Sequence, residues 1–147
     1  MAADLWDPII TINQANLSLA LPWHFVMEVV DPYGSLLLES AGQWDCLGSA
    51  IKPCGPDGHA SLTLPDARLL LASSPPGALI GKFGGSSAGR ETPPTLFAIG
   101  SRCVVAMPDK RPVPLYIAIN GAVVDSRPEL MNFRLAISGA PALAGAH

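Results

Sequence analysis

Charge is what this chain has least of. Asp, Glu, Lys and Arg make up 14% of its residues, against roughly a quarter in ordinary globular domains. The nine basic side chains are scattered and the net charge is −3. That rules out the basic stripe on which nucleic-acid binding depends. No apolar run approaches the roughly 18 residues that would read as a membrane span. The first residues, MAADLWDP, carry acids where a secretory leader carries bases, and no apolar stretch directly follows. This favours a cytoplasmic over a secreted protein. The cysteines are Cys46, Cys54 and Cys103. An odd count without regular spacing argues against a disulfide framework. Cys103, inside CVVAM, reads as a small buried hydrophobe. Cys46 and Cys54 read as free thiols, although in an exported protein they could pair across a loop. Helical periodicity is also missing throughout.

In its place stand short apolar runs separated by glycine and proline, which number 14 and 15. Breaks so frequent suit many turns joining short strands. The strand candidates, by residue number, are 9–13, 23–30, 35–40, 61–64, 77–83, 96–100, 103–107, 113–120 and 132–138. Leu17, Leu19 and Leu21 alternate with Ser18 and Ala20, giving one apolar face that should point inward. The pair Ala41-Gly42 is expected to end the 35–40 strand, and residues 68–72 could be a short strand or a helical turn. The pattern is all-β: two antiparallel sheets packed as a β-sandwich, in one domain over residues 1–138. Residues 139–147, GAPALAGAH, read as a flexible tail. A mean hydropathy of +0.34 with so few charges implies apolar surface beyond the needs of one core. A homo-oligomer, or a protein partner covering one face, follows.

The second half is similar to a known family. Gly77-Ala78-Leu79 leads into a strand ending at Lys82-Phe83-Gly84, and a Leu96-Phe97 strand entry follows. Ile119-Asn120-Gly121 and a closing Phe133-Arg134-Leu135-Ala136-Ile137 strand complete the pattern, and LLLESAGQW resembles an upstream strand. Over residues 35–138 the chain resembles the calcium-dependent galactose-binding bacterial lectins of the LecA type. The resemblance implies a jelly-roll-like, galactose-binding-domain-like sandwich, a carbohydrate ligand and a bacterial source.

In that family calcium bridges protein and sugar, and calcium wants six to eight hard oxygens. Here the loop departs from the pattern. Gly121 stands where the family has an Asp, and the paired Asn ligands fall on Pro128 and Glu129. Asp125 occupies the place of a Thr that ligates through its carbonyl. A tight calcium site is therefore not expected, and no cofactor is assigned. The candidate ligand-binding residues are Asn120, Asp125 and Glu129 on this loop, with Asp57 and His59 across from it. Trp44 is the candidate platform for the apolar face of a sugar. The plainer reading makes Trp44 a core residue and leaves Asp57 and His59 as solvated turn residues.

Rival chemistries are weaker. Gly85-Ser86-Ser87-Ala88-Gly89 matches a nucleophile elbow in letters, but it opens a proline-containing loop rather than a helix. Cys46, Cys54 and His59 lack the pair spacing of a zinc site. His24 reads as an ordinary strand histidine, Trp6 and Trp23 as core or subunit-contact residues. The functional expectation is a non-enzymatic, lectin-like carbohydrate-binding protein. The alternative is a lectin-fold structural or interaction module that has lost sugar binding.

Overall fold

The computed structural model describes residues 6–13, 23–29, 33–44, 54–58, 71, 73–84, 95–108, 112–120 and 130–141. These carry eight strands: β1 (Asp7–Asn13), β2 (His24–Val29), β3 (Tyr33–Trp44), β4 (Leu79–Phe83), β5 (Thr95–Ala98), β6 (Arg102–Ala106), β7 (Val113–Ile119) and β8 (Leu130–Pro141). They form two four-stranded sheets, ordered β1-β8-β3-β6 and β2-β7-β4-β5. Every neighbouring pair is antiparallel. The pairs β4–β5, β3–β6, β2–β7 and β1–β8 are successive rungs of one long hairpin. The hairpin is rolled so that its rungs fall alternately in one sheet and the other.

One apolar core joins the two inner faces. Ile12, Leu36, Leu38, Phe133, Leu135 and Ile137 come from the first sheet, and Leu79, Phe83, Leu115, Ile117 and Ile119 from the second. Along β3 the alternation decides the facing. Leu36 and Leu38 point into the core, while Glu39 and Ala41 are exposed on the other side. Each buried aliphatic side chain contributes roughly 1.5–3 kcal/mol relative to exposure.

β4, Leu-Ile-Gly-Lys-Phe, is buried at every position. The reason is a second, smaller cluster on the outer face of its sheet. There Trp23, Ile80 and Ala118 are buried, with Leu71, Leu96 and Tyr116 packed against them. Lys82 belongs to this layer and is fully buried. Its ammonium lies 4.7 Å from the Trp23 ring centroid and 5.0 Å from that of Tyr116. The two π faces attract the cation while its methylene stem fills apolar space.

Two strands run further than expected. β3 does not stop at Ala41-Gly42 but continues to Trp44 through a register shift between Ala41 and Gln43. Gly42 takes φ 122° there, opposite Asn132 at φ 56°. A β-carbon on Gly42 would lie 2.8 Å from the Phe133 Cα, so the strand passes because the side chain is absent. β8 runs three residues into the supposed tail, pairing Gly139 with Leu36 and Pro141 with Tyr33. The Tyr33 ring lies over Gly139, where only a residue without a side chain leaves room for it. Residues 17, 19 and 21 and the candidate strand 61–64 lie outside the described residues.

Candidate functional site

Three of the six expected ligand residues are described, and two of them are structural. Trp44 is fully buried. Its ring packs tilted against Phe133 at 5.8 Å, and its Nε1–H donates to the Gly77 carbonyl at 2.7 Å. It offers no face to a sugar, so the expected platform is instead a core residue. The reason is position: the residue sits on the inward side of β3, past the bulge. Its main chain exchanges two hydrogen bonds of 2.9 Å with Cys54, which ties that residue to the end of β3.

Asn120 is also fully buried. Its Nδ2 donates to the carbonyls of Leu71 at 2.9 Å and Ser74 at 3.0 Å, with Pro75 at 3.3 Å, and its Oδ1 accepts from the Leu71 N–H at 3.1 Å. The expected ligand residue is thus a staple that holds a connecting segment against the end of β7.

Asp57 is exposed, as expected. It sits in a turn closed by a Gly58 N–H to Gly55 carbonyl bond of 3.0 Å, with Pro56 preset for the second position. Its Oδ1 accepts from the Ser101 N–H at 2.9 Å. The approach is close because Gly100, at φ 61°, has no β-carbon to block it. His59, Asp125 and Glu129 lie outside the described residues.

The structure brings together a different group. A depression of about 330 Å³ on the first sheet is lined by Glu39, Ser40 and Ala41 of β3, Ser101 of the β5–β6 turn, and Arg134 and Ala136 of β8. The register places Ala41 opposite Arg134 and Glu39 opposite Ala136. Glu39 also meets Arg102, its carboxylate 3.9 Å from the guanidinium Nε, with both side chains more than half exposed. Such a pair adds little stability. The Ser40 hydroxyl donates to the Gly100 carbonyl, and the Ser40 N–H donates to the Ser101 carbonyl at 3.0 Å. Through Ser101, the Asp57 turn therefore adjoins the depression. A carboxylate and a guanidinium around an alanine floor can accept and donate hydrogen bonds to a polyhydroxylated ligand.

Sequence reasoning missed Glu39, Ser40, Ser101 and Arg134. The outward polar positions of LLLESAGQ and NFRLAIS were visible as alternation, but their meeting depends on strand register.

The rival sites gain nothing. Cys54 is buried, with its thiol 3.6 Å from the Gly77 carbonyl. His24 is half-buried at the start of β2, and Trp23 is in the outer-face cluster. The Gly85–Gly89 motif lies outside the described residues. Among the described residues no group of three or more His, Cys, Asp or Glu side chains gathers to hold a metal. Cys103 is half-buried, and desolvation raises its thiol pKa. It therefore stays protonated at neutral pH, and alkylation of Cys103 by iodoacetamide should run several-fold slower than that of a free cysteine, as peptide mapping over time would read. Labelling at the free-thiol rate would contradict this burial.

Comparison of the chain with protein-family models, with curated proteins and with solved structures returned no match.

Proposed function

We propose that the chain is a non-catalytic saccharide-binding module of jelly-roll type. Its ligand lies in the depression between Glu39 and Arg134, without a dedicated calcium ion. The observation that carries this reading is the convergence of Glu39, Ser40, Ser101 and Arg134 on one concave patch beside the Asp57 turn. The volume is at the small end of ligand sites, suiting one or two sugar rings. Paired donors and acceptors suit vicinal hydroxyls, which can do both at once. With no aromatic ring among the lining residues, affinity rests on polar contacts that compete with water. A single site should therefore bind weakly, near the millimolar range.

A glycan array run with and without chelator tests the proposal. Binding is expected to survive chelation and to fall at least tenfold in both Arg134→Ala and Glu39→Gln. Both side chains are exposed, so the fold should be unaffected. Binding abolished by chelator would move the site to the Asp125 and Glu129 loop. A blank array would favour the second reading, a protein-interaction module, for which the exposed Val104 on an edge strand speaks.

A further inference from the structure

We propose that two copies of this chain pair through β6, edge to edge and antiparallel about a two-fold axis at Val104. The first sheet then continues into an eight-stranded one.

β6 is the outer strand of the first sheet, and among the described residues it pairs with β3 alone. The Ser40 N–H to Ser101 carbonyl bond and the Met107 N–H to Gly34 carbonyl bond, both 3.0 Å, bracket the strand on its β3 side. Main-chain groups alternate in direction along an antiparallel strand. Cys103 and Val105 therefore turn theirs toward β3, while Arg102, Val104 and Ala106 turn theirs outward. Side chains alternate as well. Cys103 and Val105 pack on the core, whereas Val104 is 54% exposed, one of the two large hydrophobic side chains left open among the described residues.

Centring the pairing on Val104 matches these features to themselves. Val104 meets its own copy, and Arg102 meets Ala106 of the partner subunit. All three outward residues then sit in hydrogen-bonded pairs, giving on the order of six main-chain bonds. The two valines shield each other on the outer face. Arg102 faces a small neutral residue, so no like charges oppose each other.

The other edges fit less well. β1 carries Pro8, which has no N–H to give, and β5 is only four residues long. On β2 the exposed Phe25 already packs edge-on against Tyr116 at 5.8 Å. The second copy is the occupant because the strand is complementary to itself in spacing, charge and donor direction. An edge left open among the described residues invites pairing.

A two-fold axis perpendicular to the sheet leaves both depressions on the same face. With strands spaced about 4.8 Å apart, the two depressions lie about 20 Å apart across the strands and a similar distance along them. On the function proposed above, the dimer is bivalent and gains avidity on a multivalent glycan surface.

Sedimentation and directed cross-linking test the pairing. The unaltered chain should sediment as a dimer at about 10 μM, and Val104→Lys as a folded monomer, because lysines facing each other repel. In Val104→Cys the two cysteines would stand about 5.5 Å apart between Cα atoms, within disulfide range. Mild oxidation should then link most chains into dimers on a non-reducing gel. Arg102→Cys, whose copies would stand about 14 Å apart, should link no more than the unaltered chain. A monomer at 100 μM would overturn the proposal, as would a dimer indifferent to Val104→Lys, or equal linking in the two cysteine variants. Loss of glycan binding in Arg134→Ala leaves the dimer in place. An intact dimer that binds no glycan would refute only the reading of the depression.

Discussion

Asn120→Ala is expected to cost about 3–5 kcal/mol, a large share of the stability of a single domain. The side chain is fully buried and bonds both the N–H and the carbonyl of Leu71. Its amide nitrogen reaches the carbonyls of Leu71, Ser74 and Pro75, and its oxygen takes the Leu71 N–H. Two amide hydrogens cannot serve three carbonyls fully, so the 3.3 Å contact to Pro75 is the shared one. Alanine would leave the Leu71 N–H and the Ser74 carbonyl without this partner, while the Leu71 and Pro75 carbonyls keep the N–H groups of Ser74 and Ala78. A buried orphan of this kind costs about 1–3 kcal/mol.

The main chain at the same residue reinforces the staple. Asn120 N–H donates to the Ala78 carbonyl at 2.9 Å, and Gly77 N–H donates to the Asn120 carbonyl at 2.7 Å. Those bonds survive the substitution, which keeps the expected loss finite. Asn120→Asp should be at least as damaging, since a carboxylate there faces carbonyl oxygens with no hydrogen to donate. Urea titration followed by far-ultraviolet circular dichroism reads the loss as a lower midpoint. A change below about 1 kcal/mol would show that the staple is dispensable.

Trp44→Ala should be comparably severe, at about 3–5 kcal/mol. The ring fills the end of the core against Phe133, and its N–H satisfies the Gly77 carbonyl. Alanine opens a cavity and removes that donor, while the two main-chain bonds to Cys54 remain. Trp44→Phe separates the two contributions. It keeps most of the packing and loses the hydrogen bond, so a cost of about 1–3 kcal/mol is expected. The phenylalanine variant also tests whether this residue serves the ligand. If Trp44 is core alone, the folded variant binds glycan as the unaltered chain does. A selective loss of binding without loss of stability would return Trp44 to the ligand site.

The sequence pattern points to both residues as ligand contacts, and the reason they are not is physical. An indole and a carboxamide are as useful inside a protein as at its surface, provided a carbonyl lies within reach. Whether one does depends on where Leu71 and residues 73–78 lie, and no local pattern encodes that. Asp57 was easier, because the Gly-Pro-Asp-Gly spacing is itself a turn and turns are exposed. The partner it takes, the Ser101 N–H, was not legible.

What the sequence by itself determined is the all-β class and the position of most strands. Period-two alternation and glycine or proline breaks are local properties, carried by each segment before it meets another. They located all eight described strands, and missed the ends of β3 and β8. There the strands continue because Gly42 and Gly139 carry no side chain to strike Phe133 and Tyr33. Only the tertiary structure decided which face of β4 is inner, because a strand covered on both sides shows no alternation. It alone also placed Glu39, Ser101 and Arg134 together and, among the described residues, put β6 at the edge of its sheet. Strand register and strand order come from partners distant in sequence, and a one-residue slip would send each of these side chains to the opposite face.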